Sequence, residues 1–292
     1  MKFQVWHRTT YHYDEPVTDS LGVGRLSPRD LPWQHVTAHE VTVEPIPDDL
    51  TQGPDYYGND TTYFQVTSAH TELRVTARAE VEVTDPWYDP VALAQPWELA
   101  IPMQRRDLAD AWSAVDFALP SAEVAHTDLA REYAAVSLVP GRPIGEAVTD
   151  LMHRIHADFS YEVGATTVTS TVDEVLAKRA GVCQDFAHLT LACLRTHGLA
   201  VRYVSGYLAT EPPPGRERVV GADASHAWAA VWVPGSETWL AVDPTNDQWC
   251  NERYVTVAWG RDYSDVPPLK GVIFSEATTS TLTVEVDVAP RP

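Results

Sequence analysis

The segment GVCQDFAHLTLACLR, residues 181–195, constrains the fold more than any other stretch. A glycine and a short turn lead into a cysteine, and the residues after it are apolar on almost every side of a helix. Phe186, Leu189 and Cys193 fall on one face, Ala187, Leu191 and Leu194 on another. A helix with so little polar surface has to be buried, so the rest of the chain must wrap around it. Gly198, just after Arg195 and His197, supplies a stop signal. Cys183 therefore opens a buried helix. In that first turn, unpaired N–H groups and the positive end of the helix dipole favour a thiolate over a thiol. This is the setting of a cysteine nucleophile.

The flanking sequence divides into two regions joined by a connector. Residues 1–85 read as all-β. Phe3, Val5, Tyr11 and Tyr13 share one side of a first strand. Residues 35–43 and 62–68 are two further candidates, and 71–83 alternates apolar and charged almost without fault. Gly58-Asn59-Asp60 is a hairpin-type turn. This predicts a small antiparallel β-sandwich, and the scattered His7, His12, His35, His39 and His70 read as structural. Residues 86–104, rich in Pro and Trp, read as a connector. From 105 to 292 the chain reads as one catalytic domain in which helices precede strands. Helical spacing occurs in Leu108, Trp112 and Val115, in Leu129, Tyr133 and Val136, and over 144–159. His153 and His156 read as a solvated face of that last helix. Thr171 and Glu174 form a capping box, and Gly181 reads as the break before the Cys183 helix. Residues 201–208, 225–233, 238–244 and 281–288 read as strands around a loop at 211–215. The fold class is α+β, with the nucleophile helix packed on an antiparallel sheet.

Composition closes off several functions. Forty-one acids against 21 bases give a net charge of −20, the wrong sign for nucleic acid or an anionic membrane. No run reaches membrane-spanning length and the first residues hold no signal-type apolar core. Three cysteines in 292 residues do not make a disulfide framework, and Cys183 and Cys193 lie about 15 Å apart along one helix. A reducing cytoplasm is the expected location. No calcium or other metal pattern occurs, and neither metal nor cofactor is expected. The sequence carries no signature of a particular oligomeric state.

A cysteine nucleophile needs a base and a group that orients the base. His226 lies on the candidate strand SHAWAAVWV, flanked by small residues, with Trp228, Ala230 and Trp232 on its face. Asp243 ends the next strand. If the loop between them is the four residues 234–237, Thr245 falls opposite His226 and Asp243 is a diagonal neighbour on the same face, about 7–8 Å away at Cα; an odd loop would turn Asp243 away. Asp223 and Asn246 compete for the orienting role.

The stretches GVCQDFAHLTLACLR, YVSGYLATEPPPG, GADASHAWAAVWVPG, WLAVDPTND and GRDYSDVPPLKG resemble the bacterial transglutaminase-like (cysteine protease) family, and TTYHYDEPV, RLSPRD and YYGNDTTYF resemble the N-terminal β domain of the same family. The resemblance covers almost the whole chain. It implies a papain-like core with a triad of Cys183, His226 and Asp243. The expected activity is acyl transfer from an amide (peptide or isopeptide) bond through a thioester, ending in hydrolysis by a protease or amidase. The alternatives are a protein-glutamine transglutaminase with an amine acceptor and a non-catalytic binding module. The partner is then a protein or peptide substrate. Substrate-binding expectations fall on four residues. Gln184 is a side-chain donor for the oxyanion, beside the Cys183 N–H. Tyr161 is part of the cleft wall, with Thr166. Trp228 shields the imidazole, and Asp223 lies in the loop before His226.

Overall fold

A computed structural model describes residues 1–210 and 225–291. Five strands come first: β1 (Lys2–Gly24), β2 (Gln34–Glu44), β3 (Asp49–Pro54), β4 (Asp60–Val66) and β5 (His70–Val83). β1 is the spine. Its first half pairs with β5 and its second half with β4, with a break in register between His12 and Val17. Pro16, which has no N–H to give a ladder, lies in that break. Two lobes, β2–β5–β1 and β1–β4–β3, thus share one bent strand. They close on Val17, Val41, Val43, Phe64, Val66, Leu73 and Val75. The anticipated sandwich is made by folding one sheet over.

The second half departs from expectation in several places. Residues 86–104 contain α1 (Pro90–Leu93) as well as single turns of 3-10 helix. α2 (Ala111–Val115), α3 (Asp128–Ala135) and α4 (Ile144–Asp158) come next. α4 buries the stripe anticipated for it, Ile144, Val148, Leu151, Met152 and Ile155. The other two turn differently: Trp112, Leu129 and Val136 are exposed, while Ala130 and Ala134 are the buried residues of α3. Small side chains on that face allow α3 to lie close against the nucleophile helix.

α5 (Val172–Lys178) starts at the capping box, where Thr171 and Glu174 exchange side-chain-to-backbone hydrogen bonds. The break after it is made by Arg179, which takes the left-handed conformation at φ 56°. Gly181 does something else: a Cβ there would lie 2.8 Å from Asp185 Oδ2. β6 (Ser160–Tyr161) pairs in parallel with β7 (Ala180–Gly181), and α6 (Cys183–Arg195) begins at once.

The second sheet runs β11–β10–β9–β8–β12. Its strands are β8 (Val201–Leu208), β9 (Ser225–Val231), β10 (Leu240–Asp243), β11 (Gln248–Trp249) and β12 (Tyr254–Gly260), paired antiparallel throughout. α6 covers one face. Leu189, Leu191 and Leu194 are fully buried, each contributing about 1.5–3 kcal/mol. The same core includes Ala227, Ala229 and Val231 of β9, and also Phe3, Val5 and Val81 from the first sheet.

The C-terminal alternation belongs elsewhere than expected. β13 (Leu269–Ser275) and β14 (Ser280–Arg291) both pair with β1, β14 along its first half and β13 along its second. The 281–288 pattern marks a strand correctly, but alternation specifies a buried face and not the sheet that receives it. The three cysteines are unpaired, and no described helix is long and apolar enough to cross a membrane.

Candidate active site

Cys183 is the first residue of α6 and is partly exposed, whereas Cys193 and Cys250 are buried. The first turn is held by Asp185. Its carboxylate Oδ2 accepts from the Val182 N–H at 2.8 Å and from the Thr166 hydroxyl at 2.6 Å. Both bonds fix the entry of the chain into the helix, and the close approach of Asp185 is why residue 181 is a glycine.

His226 is the second residue of β9 and sits opposite Gly206 of β8. Gly206 also answers a steric demand: a Cβ there would lie 2.2 Å from the Val255 carbonyl oxygen and 2.5 Å from the Trp228 ring. β9 and β10 pair Val231 with Leu240 and Ala229 with Val242. This is the register of a four-residue loop, which brings Asp243 to the imidazole. His226 Nε2 lies 2.7 Å from Asp243 Oδ2. The other ring nitrogen, Nδ1, is left for the Cys183 thiol, with which the imidazole also shares a hydrogen bond.

The electrostatics arise from this geometry. Asp243 has no exposed surface. Its Oδ1 accepts the backbone N–H groups of Thr245 (2.9 Å) and Asn246 (3.3 Å), and its Oδ2 accepts the Asn246 amide and the Tyr254 hydroxyl, each at 2.7 Å. Burial alone would raise the carboxyl, yet His226 and these donors hold it below its ordinary value. For His226 burial opposes the charge, but the hydrogen bonds and charges of Asp243 and Cys183 outweigh it and lift the imidazole to about 10. The buried pair is an imidazolium and a carboxylate.

Of the competitors for the orienting role, Asn246 supplements Asp243. Asp223 lies outside the described residues. Trp228 is 1% exposed and packs 6.1 Å from the His226 ring, so it walls the imidazole from behind and offers no surface for a substrate. Gln184 donates to the Val168 carbonyl at 3.4 Å, which engages its amide away from the sulfur. Tyr161 is 56% exposed, with its ring 6.5 Å from that of Phe186, and it feels the charge of Cys183.

Sequence reasoning missed two features. His153 and His156 have partners: His153 pairs with Asp247, and His156 Nδ1–H donates to the carbonyls of Pro244 (3.2 Å) and Thr245 (3.1 Å). Set about one turn apart on α4, the two tie down the loop after Asp243. The other is Tyr254, which opens β12. The run YVTVAWG is rich in β-branched and aromatic residues, a strand signal, but both its faces are apolar, so no period stands out.

This arrangement can be set beside known proteins. Residues 3–82 match the model of the bacterial transglutaminase-like N-terminal region, and residues 131–244 match that of the transglutaminase-like superfamily. The uncharacterized protein Rv2569c of Mycobacterium tuberculosis is 47% identical over 99% of this chain and 93% of its own. The uncharacterized protein ML0607 of Mycobacterium leprae is 35% identical over 98% of each. Among solved structures, "a Putative Cysteine Protease from Cytophaga hutchinsonii" superposes with a TM-score of 0.76 at 20% identity, covering 100% of this chain and 92% of that one. The chain belongs to the bacterial transglutaminase-like family, within the transglutaminase-like superfamily.

Proposed function

We propose that this protein is a cysteine hydrolase that cleaves amide bonds, with Cys183 as nucleophile, His226 as acid and base, and Asp243 as the orienting group. Membership of the superfamily, and the cysteine protease named among its fold neighbours, support a cysteine-dependent enzyme. One observation carries the finer reading: a partly exposed thiol at a helix N-terminus shares a hydrogen bond with an imidazole whose far nitrogen lies 2.7 Å from a fully buried carboxylate.

With the proton kept on the imidazole, the sulfur attacks a substrate carbonyl as a thiolate, and the C–S bond forms as the carbonyl π pair moves to oxygen. The Cys183 backbone N–H and its neighbours in the first turn stabilise that oxyanion. Collapse breaks the C–N bond while His226 hands its proton to the departing amine, leaving a thioester. His226, now neutral, takes a proton from water as the water attacks. The C–S bond then breaks and the acid is released. Asp243 stays ionised and keeps Nε2 protonated.

The test is alkylation. Iodoacetamide at pH 7, followed by mass spectrometry of the peptides, should modify Cys183 long before Cys193 or Cys250, and His226→Ala should abolish the difference. Equal labelling of the three would overturn the reading. Incubation of a peptide substrate with a labelled amine then separates hydrolysis from transfer: incorporation of the amine in place of acid release would mean a transglutaminase.

A further inference from the structure

Resting on that reading, we propose that Tyr254 is a positioning residue for His226 through Asp243, and that the N-terminal β domain holds it in place by clamping β12. Tyr254 Oη donates to Asp243 Oδ2 at 2.7 Å and accepts from Gln248 Nε2 at 2.6 Å. Its ring stands 5.3 Å from Trp228 at 77° and 6.2 Å from His226, so the phenol has one place to be. The carboxylate oxygen it meets is the one that faces His226 Nε2. A donor there fixes the direction of that oxygen in a buried site, where misdirection of a hydrogen-bonded ion is costly.

β12 is the edge strand of its sheet, with β8 on one side only. Its other side is taken by two side-chain amides of the N-terminal domain. Gln34 donates from Nε2 to the Thr256 carbonyl (2.7 Å) and accepts the Thr256 N–H at Oε1 (2.8 Å). Asn59 does the same at Trp259, with both bonds at 2.9 Å. Each amide imitates one rung of a neighbouring strand, and Arg29 N–H adds a backbone bond to the Thr256 carbonyl at 3.1 Å. Gln34 is 1% exposed and Asn59 fully buried. A strand edge satisfied this way is held at set positions along its length, the nearest of them two residues from Tyr254. The domain that supplies no member of the triad therefore sets the carboxylate that sets the imidazole.

The experiment reads the His226 ring directly, by NMR titration of the full chain, with the resonance assigned by its loss in His226→Ala. In the wild type the midpoint should lie near 10. Tyr254→Phe, which keeps the ring and loses the hydroxyl, should lower that midpoint by about one unit, a tenfold loss of proton affinity, and should slow iodoacetamide alkylation of Cys183 at pH 7. Gln34→Ala, which touches neither phenol nor carboxylate, should move the midpoint in the same direction by less. If both variants melt earlier but titrate as the wild type does, Tyr254 is a packing residue and the inference falls. A Tyr254→Phe effect without one in Gln34→Ala overturns the role given to the N-terminal domain. A wild-type midpoint near the ordinary 6.5 would overturn the proposed function itself, a result distinct from either.

Discussion

The two sheets are built on different terms. In the sheet that carries His226, β9 is buried from Ala227 to Val231 without a polar interruption, covered by α6 on one face and by Trp228, Trp239, Tyr254 and Trp259 on the other. In the N-terminal sheet the strands alternate, and Leu21, Tyr63, Val272 and Phe274 stand exposed. A strand covered on both faces leaves its side chains no alternative rotamer, which is what aiming an imidazole requires. A half-covered strand tolerates more, and serves here as a support whose useful groups are the amides at its rim.

Four substitutions put that contrast at risk. Asp243→Asn should leave a folded protein whose turnover of an amide substrate drops by about 10³–10⁴, the scale seen when the orienting carboxylate of other triads is neutralised; steady-state kinetics beside circular dichroism would check both halves. Gly206→Ala, at the most crowded point of the covered sheet, should cost about 3 kcal/mol, read by urea unfolding. His156→Ala, which frees the loop after Asp243, should cost about 1 kcal/mol and lower turnover with the fold intact. Leu21→Ser on the open face should stay within about 0.5 kcal/mol of the wild type; an effect as large as that of Gly206→Ala would erase the distinction.

The pH dependence has a definite sign. The folded value of His226 lies above its ordinary one, so its contribution to stability is complete below about 6.5 and is lost as pH rises through about 10. Asp243, held below its ordinary value, contributes at neutral pH and loses that contribution only in acid. Urea midpoints measured across pH 7–11 should therefore fall on the alkaline side more steeply for the wild type than for Asp243→Asn.

Much of the fold and the site is legible in the sequence because the decisive signals are local. The Cys183 helix announces itself by composition, the capping box by two residues, and the approach of His226 to Asp243 by the length of one loop. The features that stay hidden depend on tertiary choices. Leu129 and Val136 have helical spacing, yet the helix turns its alanines inward because the neighbour it packs on is close. The partners of His153 and His156 come from a loop some ninety residues on, and nothing near the pair in sequence distinguishes a tethered histidine from a solvated one. Tyr254 escapes notice because a strand buried on both faces loses the period by which strands are found.

The return of β13 and β14 to flank β1 bears on how the molecule is made. Until residues 269–291 leave the ribosome, the first strand synthesised has no neighbour on one of its two edges, along both of its halves. The nascent N-terminal region therefore waits with open backbone groups, exposed to pairing with other chains. For the same reason, a fragment cut at either end to isolate the cysteine-bearing half would leave those two strands, or the one they flank, without a mate.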